Sequence, residues 1–200
     1  MLQTKTWLTE TEELARELDA PDLVIIDASW HMPSEGDAHA EYLAEHIPGA
    51  LFFDIDEIAD TKSNLPHMLP PPEKFSSRMR SMGIGDGSRI VIYDSRGLYS
   101  AARVWWTFRV MGVEDVSVLN GGLPKWKREG RPIESGEPRS RTTRHFTTRR
   151  NADLVRDVSD MRALVKDKSA EVVDARAPER FAGHRTAAAG EVTRGLVTKP

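Results

Sequence analysis

Leu23-Val24-Ile25-Ile26-Asp27 is an unbroken apolar run of strand length that ends on an acid. A strand with one wet face alternates apolar and polar residues. A continuous run is expected of a strand covered on both faces, as in a parallel sheet sandwiched by helices. Leu51-Phe52-Phe53 and Arg89-Ile90-Val91-Ile92-Tyr93 read the same way, and Val116-Ser117-Val118-Leu119 is a further strand.

Helical patterns fill the intervals. Thr9-Glu10-Thr11-Glu12 has the spacing of a capping box, with Thr9 at the N-cap and Glu12 at N3. Leu14 and Leu18 follow at helical spacing until Pro21-Asp22. Phe75, Met79 and Met82 share one face of a helix that Gly83 closes. Ser100 to Met111 forms another, closed by Gly112, and Asn120-Gly121-Gly122 turns into a short helix around Trp126. Strands alternating with helices predict an α/β domain: a parallel sheet with helices on both faces.

The pattern breaks over 131–150. Pro132, Ser135, Gly136 and Pro138 interrupt any periodicity, and Arg139, Arg141, Arg144, Arg149 and Arg150 cluster. Without interleaved aromatics or a binding motif, this segment reads as a solvated interdomain linker rather than a nucleic-acid patch. Beyond it the opening of the chain recurs without a gap. Trp7 through Ala28 aligns with Leu154 through Ala175, pairing Leu14 with Met161, Leu18 with Val165 and Asp27 with Asp174. Val172-Val173 then stands where Ile25-Ile26 forms a strand. The expected organisation is a complete domain over 1–130, a linker over 131–150, the start of a second copy over 151–183, and a divergent tail over 184–200.

The chain has 200 residues and a formal net charge of −3, which gives no global attraction to nucleic acid or anionic membrane. The N-terminus lacks the apolar core of a signal peptide, and no run approaches membrane-spanning length. A cytoplasmic protein is expected. The chain contains no cysteine, so it has no disulfide, no thiolate metal site and no thiol nucleophile of its own.

That absence gains meaning from the motifs. Tyr42-Leu43-Ala44-Glu45-His46-Ile47-Pro48-Gly49-Ala50 resembles the motif of rhodanese-type sulfurtransferases: an aromatic, three residues, His, an aliphatic, then Pro-Gly-Ala. Ser29-Trp30-His31-Met32, Phe53-Asp54-Ile55-Asp56, His67-Met68-Leu69-Pro70, Arg103-Val104-Trp105-Trp106 and Leu119-Asn120-Gly121-Gly122-Leu123 resemble the first half of two-domain 3-mercaptopyruvate sulfurtransferases. The resemblance covers residues 1 to about 183. The related thiosulfate sulfurtransferases share that architecture.

The resemblance implies a rhodanese-like fold and transfer of sulfur from 3-mercaptopyruvate to a thiol or cyanide through a cysteine persulfide. It implies a thioredoxin-like dithiol as acceptor, and no metal or organic cofactor. In the family the first domain lacks the nucleophile, and the second holds it in a strand-to-helix loop. The corresponding loop here is Asp94-Ser95-Arg96-Gly97-Leu98-Tyr99-Ser100, with Asp94 at the sulfur's place. A carboxylate fits such an anion nest and is expected to cap the following helix, but it cannot attack sulfur. Asp56 and His67 match residues that assist proton transfer with a serine of the other domain. Arg180 matches the arginine that grips the substrate carboxylate. His46 is assigned to structure, since its turn recurs in rhodanese domains that do not catalyse.

After Gly183 the resemblance stops. A back-translation read one nucleotide later yields family-like residues there, which makes a frameshift the expected origin of the tail. The rival origin is a natural pseudo-enzyme with its own C-terminus; the rival functions are a thiosulfate sulfurtransferase and a cysteine-free rhodanese module that binds a partner. Because persulfide formation needs a thiolate, the purified chain should release no pyruvate from 3-mercaptopyruvate above a no-protein control. Turnover by this cysteine-free protein would refute the assignment of the nucleophile to a residue outside it.

Overall fold

The computed structural model describes residues 7–176 and 178–183. They fall into two units, one ending at Val155 and the other beginning at Arg156. The expected tail over 184–200 lies outside the described residues.

In the first unit the elements run in order β1 (Leu8–Thr9), α1 (Thr11–Arg16), β2 (Leu23–Asp27), α2 (Ala38–Ala44), β3 (Leu51–Phe52), α3 (Ile55–Ile58) and α4 (Pro72–Ser81). Then come β4 (Arg89–Tyr93), α5 (Ala101–Val110), β5 (Val116–Leu119) and α6 (Gly122–Arg128). The strands form one sheet in the order β1-β5-β4-β2-β3, and every pairing is parallel. All five residues of β2 are buried, as an unbroken apolar run requires.

Alternation along the strands builds two cores. Val24, Ile26, Ile90, Ile92, Val116 and Val118 face one side, where they meet Phe75 and Met79 of α4 and Phe108 of α5. Leu23, Ile25, Val91 and Tyr93 face the other, against Leu14 of α1, Tyr42 of α2 and Trp126 of α6. The period of two in a strand makes this division automatic.

The N-terminal cap differs from expectation. Thr9 lies in β1, with its hydroxyl 2.6 Å from that of Ser117, and Glu10 takes the N-cap position of α1 without a side-chain capping bond, its carboxylate accepting instead from Asn120 and Lys125 at 2.7 and 2.6 Å. Pairing with β5 draws Thr9 into the sheet, where its side chain is turned to a cross-strand partner. Thr11 instead becomes buried and donates to Glu129 at 2.6 Å.

Residues 131–150 form a strap without regular structure whose side chains stay mostly exposed, as a linker's would, but which is pinned to the first unit at several points. Glu134 exchanges both backbone hydrogen bonds with His46, at 2.8 and 2.9 Å. Its carboxylate accepts from the Gly49 amide at 2.7 Å. Phe146 is only 4% exposed and packs edge-on to Phe75 with ring centroids 5.7 Å apart. Asp86 accepts from both the amide and the hydroxyl of Thr147 at 2.8 Å, which holds its carboxyl below the usual range. Arg149 donates its amide to Met111 at 2.8 Å. A Cβ on Gly112 would stand 2.6 Å from the Arg149 carbonyl, so only glycine admits the strap there. The prolines and glycines that break periodicity thus shape a strap that follows the domain surface without forming an element.

The second unit, described by itself, holds α7 (Val158–Asp167) and α8 (Pro178–Phe181). The duplication is visible in local geometry. α1 begins at Thr11 and α7 at the aligned Val158. The Ser29 amide donates to Asp27 at 2.8 Å, and the aligned Arg176 amide donates to Asp174 at 2.9 Å. The strand expected at Val172-Val173 is not formed, and Val173 is 86% exposed. A strand needs an edge to pair with, and the second unit has no other strand among its described residues. No helix among the described residues is long and apolar enough to cross a membrane.

The strap is open to a direct check. Phe146→Ala should destabilise the first unit by about 3 kcal/mol in urea unfolding, because it empties a packed aromatic site. It should also open 131–150 to proteolysis. An unchanged midpoint with unchanged protection would show that Phe146 does not pin the strap.

Candidate functional site

Candidate functional residues gather beyond the carboxyl ends of the neighbouring strands β2 and β4. β2 and β4 are register partners from Leu23–Arg89 to Asp27–Tyr93, and the chain leaves their ends toward opposite edges of the sheet. Such a switch point opens a crevice. Here it is a cavity of about 430 Å³ whose lining includes Asp27, Ser29, His31, Tyr42, Ser95 and Arg96. Asp27 is buried, and that burial pushes its carboxyl up. As pH rises the unfolded chain therefore loses this proton first. The group's contribution to stability is full below the unfolded value of about 4 and falls as pH rises through the folded one.

The loop after β4 closes around Asp94, which is 1% exposed. Its Oδ1 accepts from the amides of Arg96 and Gly97 at 2.9 and 2.8 Å. Its Oδ2 accepts from Tyr99 and Ala101 at 2.6 and 2.9 Å. Asp94 does reach the first residue of α5, yet it does so from inside the loop. The N-cap position itself is Ser100, whose side chain makes no capping bond. Four amides aimed at one point form an anion nest, and the carboxylate fills it. Ser95 donates its amide to Ser29 at 2.9 Å, and Arg96 pairs with Glu35 at 2.5 Å. Gly97 packs against the start of α6. A Cβ on Gly122 would lie 2.6 Å from the Asp94 carbonyl and 2.9 Å from the Gly97 Cα, and Gly122 has φ +53°.

A second constellation joins three loops or helix starts. Asp56 sits in the first turn of α3, whose N-cap Asp54 accepts from the Glu57 amide at 2.9 Å. His67 lies in the loop before α4, and its Nε2 is 2.8 Å from Asp56 Oδ1. An ionised carboxylate only accepts, so Nε2 carries the hydrogen and Nδ1 offers its lone pair. The pair expected from the sequence is therefore brought together, 37% and 61% exposed at the side chains. An exposed pair of this kind contributes at most about 1 kcal/mol to stability.

Trp30 completes this group. Its indole Nε1 donates to Asp56 Oδ2 at 2.9 Å, and its ring stands edge-on to His67 with centroids 4.9 Å apart. No role for Trp30 emerges from sequence reasoning, because a donor 26 residues from its acceptor leaves no local spacing to find. Arg103 is also missed; its Nη2 donates to the His67 carbonyl at 2.5 Å. Arg180 lies in α8 of the second unit, on an exposed turn. His46 is buried, stacks on Tyr42 and meets the Tyr42 carbonyl through Nδ1 at 2.7 Å, which is a structural placement. No group of three or more metal-ligating side chains occurs among the described residues.

Residues 10–129 match the rhodanese-like domain family. The chain is 40% identical over 178 residues to the 3-mercaptopyruvate sulfurtransferase of Escherichia coli K12, covering 88% of this chain and 63% of that protein. It is 38% identical over 185 residues to the thiosulfate sulfurtransferase of Bos taurus, covering 92% and 61%. The crystal structure of SseA from Escherichia coli, a 3-mercaptopyruvate sulfotransferase of rhodanese fold, superposes with a TM-score of 0.83 at 39% identity, covering 88% of this chain and 68% of that one. The chain thus spans about three fifths of the length of the curated relatives it matches.

The nest makes a stability prediction. Asp94→Ala leaves four amides without their acceptor and should cost at least ~3 kcal/mol. Asp94→Asn keeps one acceptor oxygen and should cost roughly half as much. Equal unfolding midpoints for wild type and both variants would show that the nest does not depend on the carboxylate.

Proposed function

This chain belongs to the rhodanese-like domain family, and we propose that it supplies the non-nucleophilic half of a 3-mercaptopyruvate sulfurtransferase. The observation that carries this reading is the Asp56–His67 pair, oriented by Trp30 and exposed to a partner. The loop where a sulfur nucleophile would sit is filled by the Asp94 carboxylate.

The reaction needs a thiolate that this chain lacks. The thiolate attacks the sulfur of 3-mercaptopyruvate, an S–S bond forms and the C–S bond breaks. The leaving enolate then takes a proton and becomes pyruvate. His67 can hold or move a proton at Nδ1, and Asp56 stabilises the imidazolium that forms. Arg180 is proposed to bind the substrate carboxylate through paired N–H donors. A thioredoxin-like dithiol would then reduce the persulfide. We place this activity in the cytoplasm.

Exposed apolar side chains flank both constellations. Leu65 and Met68 adjoin His67, while Leu98 and Tyr99 lie in the Asp94 loop. Such residues suit a face that docks against the nucleophile-bearing part. The 40% identity to a 3-mercaptopyruvate enzyme and the 38% identity to a thiosulfate enzyme leave thiosulfate transfer as the second reading.

A chimera tests the proposal. Residues 1–183 of this chain are joined to the part of the Escherichia coli relative that lies beyond the match. The chimera should release pyruvate from 3-mercaptopyruvate, with kcat/KM above that for thiosulfate. His67→Ala in the chimera should lower kcat by about 10²-fold and leave KM nearly unchanged. A folded, active chimera indifferent to His67→Ala would remove the relay role.

A further inference from the structure

The Asp56–His67 pair is exposed, and exposed pairs seldom hold one geometry. This one is gripped from both ends. Asp56 uses Oδ1 for His67 and Oδ2 for the indole of Trp30, at 2.8 and 2.9 Å. The carboxylate cannot turn about its last bond without losing one of them. Trp30 also lies edge-on against the imidazole, at an interplanar angle of 75°. One side chain therefore touches both members of the pair.

The backbone end is held separately. His67 has φ +55°, a left-handed state that a residue with a Cβ adopts only under strain. Arg103 donates to its carbonyl at 2.5 Å, and the Arg103 guanidinium lies 4.7 Å from the Trp106 ring centroid. Strain of this kind persists where the surroundings over-determine it, and it clusters at functional sites. Asp60 adds a bond in the same loop by donating its amide to the Met68 carbonyl at 2.9 Å.

We propose that Trp30 and Arg103 are the positioning residues of the Asp56–His67 pair. Trp30 fixes the carboxylate and, through it, the imidazole tautomer. Arg103 fixes the backbone from which the imidazole projects. The proposal rests on the proton-handling role put forward for His67, but its geometry can be tested without that role.

The first test is nuclear magnetic resonance of the whole chain, labelled with ¹⁵N, with the His67 ring assigned through His67→Gln. In neutral wild type the two ring nitrogens should have widely separated frequencies, with Nε2 protonated. Trp30→Phe keeps an aromatic edge against the ring but loses the N–H. Arg103→Gln keeps a donor but loses the fork and the stacking. Each should draw the two nitrogen frequencies together as the tautomers mix. Should Trp30→Phe fail to give a folded amide spectrum, Trp30→His, which retains a ring N–H, serves in its place and should keep the frequencies apart. The second test uses the chimera. There Trp30→Phe should lower kcat about tenfold, part of the roughly 10²–10⁴-fold that a positioned acid–base group contributes, and leave KM within about twofold. An inactive parent chimera would count against the functional reading alone, and the ring frequencies would still decide positioning. Unchanged ring frequencies in folded Trp30→Phe and Arg103→Gln would overturn the proposal.

Discussion

Asp27 and Tyr93 are opposite each other at the last pair of the β2–β4 ladder, and most of the functional end of the molecule hangs on that junction. The Tyr93 carbonyl accepts from Ala28 at 2.8 Å, and the Asp27 carbonyl accepts from Phe53 at 2.8 Å. The Tyr93 hydroxyl accepts from the Ile47 amide at 3.2 Å, while the Asp27 carboxyl accepts from Ser29 at 2.8 Å. Three strand ends and two loops are thereby set by one register. A slip by one residue would turn every core side chain of β2 to the wrong face. It would also carry Trp30 away from Asp56 and Ser29 away from Ser95.

From this junction the two constellations divide their labour. The Asp94 loop keeps the geometry of an anion site and satisfies it internally, so it stabilises the fold. The Asp56–His67 pair has the opposite economy: little stabilisation, an open face and a strained backbone. Its small contribution to stability and its open face agree with the proposal that the nucleophile-bearing part docks there. The nest and the pair are linked through α5, which begins at the Asp94 carboxylate and presents Arg103 to His67 less than one turn later.

The fold was legible where local chemistry suffices. Apolar runs of β2 and β4, the glycines after α4 and α5, and the alternation of elements all express short-range rules. The two-residue strand β1 was not legible, because its partner β5 lies more than a hundred residues away and two residues carry no pattern. The helix α2 buries only Tyr42 and so shows little amphipathic spacing. In the site, Asp56 and His67 were found through resemblance to known motifs, whereas Trp30 and Arg103 act through a donor to a distant carboxylate and a donor to a carbonyl. Neither bond depends on a recognisable spacing. The points at which the strap is pinned are not legible for the same reason: prolines and arginines signal absence of an element, and they say nothing of where the chain is held. The second unit shows the converse. Its helix start and its Asp174 turn repeat those of the first, since both are local, while its strand is missing because pairing is not.

The latch formed by Glu134 sets an order on synthesis. The Gly49 amide must wait 85 residues for its carboxylate, and the Met111 carbonyl must wait for Arg149. Contacts so distant along the chain close late, after the loop entropy between them has been overcome. While the chain is being made, the sheet can assemble once β5 has emerged and Phe53 and Phe108 can then cover part of Phe75, but its remaining side stays open until Phe146 arrives. During that interval the nascent domain shows an aromatic face to its surroundings. An aromatic face left open in this way favours misassembly until the strap is laid down.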